Sequence, residues 1–297
     1  MLHEPEKSVT DQGRSLERVR GRWSFSGVLE GTSGLHVGAG LSNLLAVDSA
    51  VVRDAGGRPY LPATTLKGAL RACIDRLAPV VGVERGLTSC GMSPREEQCP
   101  SPVGSAAHRA VESALREFQG TPQEREVQLF QLLEERLCSS CRLFGSPWLA
   151  GRLSFADALP SGDIDVPVEI RDSVGIDRDS GVARESSHYS YEALPSNLQF
   201  DFQLEAQNLD EADQALLAVG LSEWQHGNVR LGGGRGRGLG HSRLTLQAVG
   251  TITFASAPTD ARQEYLRHGT LPQVAPDAWL ETALAWLFQS RNETAGA

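Results

Sequence analysis

The sequence predicts an α+β fold: an antiparallel sheet with helices on one face. Residues 23–32 and 198–206 alternate apolar and polar side chains, as half-buried strands do. Later along the chain each is followed by a segment with the apolar spacing of an amphipathic helix, at 66–77 and 210–226. Residues 242–249 then alternate again. This order of strands and helices is near the split βαβ or ferredoxin-like pattern.

The region before the first helix is compact and rich in turn residues. Residues 44–52 form an apolar run that contains one acid. Gly56-Gly57 follows the run and predicts a turn of the kind found in hairpins. Thr64 or Thr65 can cap a helix that runs from Leu66 to about Leu77, because either hydroxyl can accept from a free backbone N–H. We therefore expect strand, loop, strand and helix in this order.

A long insert, about 79–142, separates this helix from the next strand pattern, at 151–158. Residues 79–104 are irregular and rich in proline, glycine and cysteine. Residues 105–137 have helical spacing that is broken at 120–122, which predicts two helices.

One domain, 23–250, accounts for these elements. Residues 1–22 are polar and lack the apolar stretch of a secretory signal, so we expect a flexible tail. Residues 251–297 are expected to be a helical C-terminal extension, with its helices at 258–292. No apolar stretch approaches the roughly 18 residues that span a bilayer. We expect a cytoplasmic protein with no membrane partner.

The formal net charge of −9 argues against nucleic-acid binding as a property of the whole surface. Charge distribution matters more than the sum, however. The acids crowd into 111–136, 201–213 and 276–281, whereas several arginines lie in glycine-rich segments. A basic face is therefore compatible with the composition.

The segment 232–240 contains six glycines and two arginines. Glycine lets a backbone approach a phosphate closely, and arginine supplies charge and a forked donor. The spacing fits neither a dinucleotide fingerprint nor a P-loop, and a strand pattern follows instead of a helix. The alternative is a flexible surface turn.

Asp48 lies between Val47 and Ser49, at the end of an apolar run. It is either a solvated aspartate at a strand edge or a functional acid. In the second case it acts as a general base or as a ligand of a divalent metal, aligning a ribose 2′-OH against its own phosphate. His36 lies nearby and either assists or packs as a structural residue.

Four of the five cysteines form two pairs that predict a structural zinc site. Cys138 and Cys141 have the spacing of a zinc knuckle, and Cys90 and Cys99 supply two further thiols across the insert. The alternative is free cytosolic thiols. Cys73 has the helical context of a core residue. An odd cysteine count argues against a disulfide framework.

The polar stretch about 168–195 has few core residues. It is either a protruding β-hairpin, with a turn near residues 179–181, or a disordered surface loop. A hairpin could wedge into a nucleic-acid stack or clasp a neighbouring subunit.

Several motifs, in order over about residues 23–250, resemble the RAMP superfamily, and within it the repeating backbone subunit of type III CRISPR effector complexes. The matching segments are GLHVG at 34–38, VDSAVVRD at 47–54, PYLPATTLKGALR at 59–71, CSSCRLFG at 138–145, residues 171–179, and GGGRGRGLG at 232–240.

The resemblance implies an RRM-like core that stacks into a filament along a CRISPR guide RNA, with a thumb hairpin at about 170–195. It implies that Asp48 cuts target RNA in a reaction that uses Mg²⁺ or another divalent cation. The partners implied are guide RNA, target RNA, further copies of the chain and other type III subunits. Two alternatives are a purely structural guide-RNA-binding subunit and a guide-RNA processing endonuclease.

The resemblance and the residue chemistry together give the RNA-binding prediction. Where the family carries a glycine after the proline of its Pro-Gly-Ser-Ser-x-Lys-Gly segment, this chain has Ala63, but hydroxyls, Lys67 and helix-start amides remain. The predicted RNA-binding residues are His36, Thr64, Thr65, Lys67, Arg71, Arg171, Arg178, Gly233, Gly234, Arg235, Gly236 and Arg237.

Overall fold

The computed structural model describes residues 18–40, 48–91, 99, 106–147, 149–162 and 165–289, and it has an α+β fold. A five-stranded antiparallel sheet has the order β2-β5-β1-β6-β7, and a separate hairpin pairs β3 with β4. The strands are β1 (Gly21–Gly31), β2 (Leu153–Phe155), β3 (Glu169–Ile176), β4 (Ala183–Ala193), β5 (Leu198–Gln207), β6 (Ser242–Thr253) and β7 (Gln273–Val274). The α-helices are α1 (Ala63–Val81), α2 (Ala106–Glu117), α3 (Pro122–Arg136), α4 (Ser139–Phe144), α5 (Glu211–Gln225), α6 (Thr259–His268) and α7 (Pro276–Phe288).

The core lies on one face of the sheet, as the alternating pattern predicts. Phe25 pairs with Leu204 and Leu29 pairs with Phe200, and all four side chains are buried. Helices cover this face: the rings of Phe202 and Trp224 on α5 lie 5.7 Å apart, and those of Phe25 and Trp279 on α7 lie 4.7 Å apart. The alternate residues of β5 are exposed. One buried face and one polar face follow directly from the strand period of two.

The start of α1 differs from the sequence-based expectation. The helix begins at Ala63 and continues to Val81, so the prediction that Thr64 or Thr65 caps it was wrong. The Ala63 N–H donates to Asp157 Oδ1 at 2.7 Å instead. A carboxylate from the segment after β2 therefore satisfies the helix start, and both threonines lie inside the first turn.

The insert contains the two predicted helices, α2 and α3, on either side of Gly120-Thr121. Thr121 and Glu124 form a capping box at the start of α3. The apolar run 44–52 forms no strand over its described part: Ser49 and Val51 make isolated bridges, to Tyr191 and Gly38 respectively. Residues 41–47 lie outside the described residues.

The stretch 168–195 is a hairpin, and the Asp177 N–H donates to the Val182 carbonyl at 2.8 Å across its turn. The C-terminal segment is more than a helical extension. Its strand β7 pairs with β6, and Trp279 packs into the main core. Among the described residues, no helix is long and apolar enough to cross a membrane.

Candidate functional site

The two glycine-rich runs of the sequence meet in space. The Gly233 N–H donates to the His36 carbonyl at 2.8 Å, and the Gly240 N–H donates to the Gly34 carbonyl at 2.9 Å. Gly232 has φ of +68°, and a Cβ there would lie 2.1 Å from the His36 carbonyl oxygen. Only glycine allows the loop 232–240 to approach the 34–38 segment this closely.

His36 is held in one orientation by both ring nitrogens. Nδ1 lies 2.6 Å from the Glu192 carbonyl oxygen, which can only accept, so Nδ1 carries the hydrogen. In the neutral ring Nε2 then accepts from the Ser49 hydroxyl, at 3.2 Å. The edge of the ring meets Tyr191, with the centroids 5.4 Å apart. His36 thus joins the glycine loop to β4.

Asp48 is exposed and lies at the edge of β4. Its N–H donates to the Ser190 carbonyl at 3.1 Å, and its Oδ2 accepts the Ser190 N–H at 2.7 Å. Its Oδ1 accepts no hydrogen bond from the part of the chain that the structure describes. The backbone of β4 therefore fixes the carboxylate while one oxygen stays available to a proton or a cation.

Glu192 anchors the segment after Asp48. Its Oε2 accepts from the Val51 N–H at 2.9 Å and from Arg53 Nη1 at 2.8 Å, and its Oε1 accepts from Arg53 Nη2 at 3.1 Å. The hydrogen bond from Arg53 holds the pKa of Glu192 below its ordinary value. Sequence reasoning missed Glu192 as a site residue, because a glutamate in a polar hairpin carries no local signal of this pairing.

The arginines of the glycine loop differ in their contacts. Arg237 Nη1 donates to the Tyr189 hydroxyl, and its guanidinium carbon lies 5.4 Å from the centroid of that ring. Arg235 Nε donates to the Gly232 carbonyl at 3.0 Å, which closes the loop on itself.

The hairpin supplies two more of the predicted residues. A Cβ on Gly34 would lie 2.9 Å from Arg171 Nη2, so this guanidinium lies directly over Gly34. It also pairs with Glu169 at 2.9 Å. Arg178 is exposed in the hairpin turn. We call residues 34–38, 48–53, 188–192 and the loop 232–240 the Asp48 surface.

The predicted RNA-binding residues at the start of α1 lie apart from the Asp48 surface. Lys67 Nζ donates to the Leu153 carbonyl at 3.5 Å, and burial together with repulsion from Arg71 lowers its pKa. Within the described ranges, Thr64, Thr65 and Lys67 make no hydrogen bond to the Asp48 surface. The structure thus brings His36, Asp48, Arg171 and the glycine loop together but leaves the α1 residues apart from them.

The cysteine cluster, Cys90, Cys99, Cys138 and Cys141, comes together as predicted. Its four sulfurs all lie within 4.8 Å of one another. A tetrahedral zinc site with Zn–S bonds of about 2.3 Å places its sulfurs about 3.8 Å apart, so the donor set and its spacing fit a metal ion. Cys73, on α1, lies in the main core instead.

Thiols of the cluster share hydrogen bonds. Bonds from Cys141 and then Cys99 lower the pKa of Cys138 to about 2. The Cys141 N–H also donates to Cys138 Sγ at 3.4 Å, at the start of α4. These hydrogen bonds favour the thiolate form of Cys138, and thiolates are the form that binds metal.

Arg71 lies against the cysteine cluster. Its Nη2 donates to Cys141 Sγ at 3.1 Å and its Nη1 to the Gly145 carbonyl at 3.2 Å. Burial opposes the charge of Arg71, but attraction to Cys141 and Asp75 outweighs it and raises the pKa. These contacts direct the side chain to the base of the insert.

Asp75, one turn further along α1, ties both cysteine segments to the helix. Its Oδ1 accepts from Ser89 Oγ at 2.6 Å and from Ser140 Oγ at 2.5 Å. Ser89 directly precedes Cys90, and Ser140 directly precedes Cys141. Such outer contacts orient metal ligands in proteins.

The family model of the RAMP superfamily matches residues 28–242, more than half of the chain. The chain therefore belongs to the RAMP superfamily, which covers CRISPR-associated proteins. The match includes the cysteine cluster, the hairpin and the whole of the Asp48 surface. No curated protein matches the sequence.

Proposed function

We propose that the chain is a CRISPR RNA-binding backbone subunit of a type III effector complex, and that Asp48 cleaves complementary target RNA. The observation that carries this proposal is the setting of Asp48. Its carboxylate is exposed, fixed by the Ser190 backbone and adjacent to a surface of glycine amides and arginines. CRISPR RNA and the subunits of an effector complex are the partners that membership of the family suggests, and the proposal includes further copies of the chain among them.

The topology supports an RRM-like core. Four strands follow one another as β1-α1-β2 and β5-α5-β6, and their spatial order is β2-β5-β1-β6. This order supports the proposed ferredoxin-like β-α-β-β-α-β motif. The helical insert lies between α1 and β2 in the chain. The β3–β4 hairpin lies between β2 and β5. They therefore extend from the sheet without interrupting it.

The glycine loop is the proposed grip on the guide RNA backbone. The exposed Gly236 and Arg235 are at its tip, and a Cβ on Gly236 would meet nothing within 4 Å. A backbone without side chains beside arginines lets phosphate oxygens approach closely. Arg171, over Gly34, adds a further cation beside the two arginines of the loop. In this proposal Arg178 at the hairpin turn reaches the RNA away from Asp48.

The proposed reaction uses the ribose 2′-OH as nucleophile. Asp48 takes the 2′-OH proton, the 2′ oxygen bonds to the adjacent phosphorus and the P–O5′ bond breaks. Water protonates the leaving oxygen, so the products are a 2′,3′-cyclic phosphate and a 5′-hydroxyl. In the alternative role Asp48 Oδ1 would hold a divalent cation, which would neutralise charge that develops on the phosphate, and water would take the 2′-OH proton instead.

The test is Asp48→Ala and Asp48→Asn in the assembled complex, with RNA binding and cleavage both measured. We expect both variants to assemble and to bind guide and target RNA, because Asp48 is exposed, and to lose cleavage by more than about a hundredfold. Unchanged cleavage would refute the catalytic role and leave the structural guide-RNA-binding alternative. Cutting of precursor repeats by the isolated chain would favour the processing endonuclease instead.

Zinc is the proposed occupant of the cysteine cluster. Its four thiols with sulfurs within 4.8 Å match a structural site, which uses four protein ligands and keeps no open position. Arg71 beside Cys141 would offset part of the negative charge of four thiolates. The expected role is structural: to hold the insert on the core.

A further inference from the structure

The four sulfurs of the cysteine cluster have unequal surroundings. The side chains of Cys99, Cys138 and Cys141 are buried, whereas that of Cys90 is partly exposed. The reactivity of a cysteine depends on the access of the reagent to its sulfur and on the groups that contact the sulfur. The difference in exposure therefore predicts that one ligand of the site reacts before the others.

Each buried sulfur of the cluster accepts a hydrogen bond from an N–H group. Cys99 Sγ accepts from the Cys138 N–H at 3.0 Å, and Cys138 Sγ accepts from the Cys141 N–H at 3.4 Å. Cys141 Sγ accepts from Arg71 Nη2 at 3.1 Å. Hydrogen bonds of this kind stabilise the negative charge on a sulfur, so they make a thiolate a weaker nucleophile.

Cys90 differs from the other three in this respect as well. Among the described residues, no N–H group donates to its Sγ, which lies 3.6 Å from Cys141 Sγ. Its neighbours nevertheless fix its position: Ser89 Oγ donates to Asp75 Oδ1 at 2.6 Å, and a Cβ on Gly91 would lie 2.6 Å from Asp75 Oδ2. The fold therefore holds Cys90 at the cluster but leaves its sulfur accessible.

Arg71 is fixed on Cys141 by further contacts of the same guanidinium. Its Nη1 donates to the Gly145 carbonyl at 3.2 Å, and its Nε lies 3.6 Å from Asp75 Oδ2. Its guanidinium carbon lies 6.0 Å from the centroid of the Phe144 ring. The planar fork of arginine makes these contacts together, which the single ammonium group of a lysine cannot do.

We propose that Cys90 is the labile ligand of the zinc site and a modification site for soft electrophiles, and that Arg71 keeps Cys141 among the three protected ligands. The Cys90 thiolate attacks the electrophilic carbon, an S–C bond forms, and the leaving group departs with the electrons of its broken bond. The thioether product carries no charge, so the cluster then offers three thiolates and binds zinc more weakly. The inference rests on zinc as the proposed occupant of the cluster.

The test treats the zinc-loaded full chain with iodoacetamide and identifies the modified cysteines by peptide mass spectrometry. A chromogenic chelator measures the released zinc in parallel. We expect Cys90 to react at least about tenfold faster than the other three ligands, and zinc release to follow its modification. Cys73 is the internal control, because it is buried in the main core and should stay unmodified while the chain is folded.

Arg71→Gln tests the role of the guanidinium. Cys141 should become a second modified residue, and the zinc affinity should fall about 10- to 100-fold. Arg71→Lys keeps the charge but not the fork, so it should recover only part of the affinity. Arg76→Gln is the matched control: Arg76 is exposed on the same helix, and its Nε donates to the Ala72 carbonyl at 3.0 Å. This control should keep the wild-type modification pattern and zinc affinity.

Each outcome bears on a different part of the proposal. Equal rates at the four ligands, or a faster reaction at a buried one, would overturn the assignment of Cys90. Modification of Cys73 in step with Cys90 would show that alkylation follows unfolding, which also overturns it. A wild-type pattern and affinity in folded Arg71→Gln would overturn the role of Arg71. Metal analysis of the same sample separates these results from a failure of the zinc assignment, since an intact chain without zinc would contradict that assignment and this inference with it.

Discussion

The cysteine cluster and the Asp48 surface are built in opposite ways. The cluster is held by side chains that reach one another from α1, α4 and the insert, and Cys99, Cys138 and Cys141 are buried. The Asp48 surface is held by backbone contacts through glycines and the edge of β4, with His36 and Glu192 as added side-chain ties, and its carboxylate is exposed. Buried side-chain networks lose stability when one member is removed, whereas a backbone-held surface can lose an exposed side chain and keep its fold.

Loss of a metal ligand should give the largest effect. Cys138→Ser removes a thiolate, so we expect metal content to fall from about one zinc per chain to near zero. The insert should then become sensitive to protease while the sheet persists, because its core residues belong to a separate cluster from the main core. Elemental analysis and limited proteolysis measure the two effects.

Cys73→Ala is the control for this prediction. It removes a cysteine from α1 that lies in the main core, so it should keep the full metal content. Wild-type protein that contains no zinc when purified intact would contradict the assignment of the cluster as a zinc site.

A smaller effect is expected from the carboxylate that supports the cluster. Asp75→Ala leaves the Ser89 and Ser140 hydroxyls without their acceptor, so it should weaken zinc binding about 10- to 100-fold. Asp75→Asn retains an amide oxygen and should recover part of the loss. Competition with a chelator measures the zinc affinity. Equal affinity in the wild type and in both Asp75 variants would contradict the role of Asp75 in supporting the cysteine cluster.

The backbone approach at the glycine loop can be tested within the loop itself. Gly232→Ala places a Cβ 2.1 Å from the His36 carbonyl oxygen at a φ of +68°, and should lower the free energy of unfolding by more than about 1 kcal/mol. Gly236→Ala meets nothing within 4 Å, and should change it by less than about 0.5 kcal/mol. Denaturant unfolding compares the two, and similar losses would refute a special role for Gly232.

The smallest effect concerns Glu192. Its pKa is lowered in the folded chain, so its contribution to stability is complete above its ordinary pKa of 4.5. That contribution is lost as the pH falls through the folded pKa. Glu192→Gln should therefore lower stability at neutral pH and flatten the acid side of the stability curve. A curve of unchanged shape would argue against the pairing with Arg53.

Local sequence patterns predicted the main helices and strands of this fold because the type of such an element depends on residues close to one another in the sequence. The period of two in β1 and β5 gave the buried face, and glycine and proline between residues 118 and 122 separated α2 from α3. The spacing of Cys138 and Cys141 predicted half of a metal site, and the sulfurs of all four cysteines do converge. The family model that matches residues 28–242 confirmed the predicted membership of the RAMP superfamily.

The sequence by itself determined the main strands and helices, the cysteine donor set and the family, but it did not predict β7 or the isolated bridges over residues 49–51. Only the tertiary structure decided which side chains meet. Asp157 supplies the carboxylate at the start of α1, Arg71 turns to Cys141, and Glu192 binds Arg53 from 139 positions away. Such partners are set by how the sheet and hairpin bring distant segments together, and no local period of apolar residues encodes them.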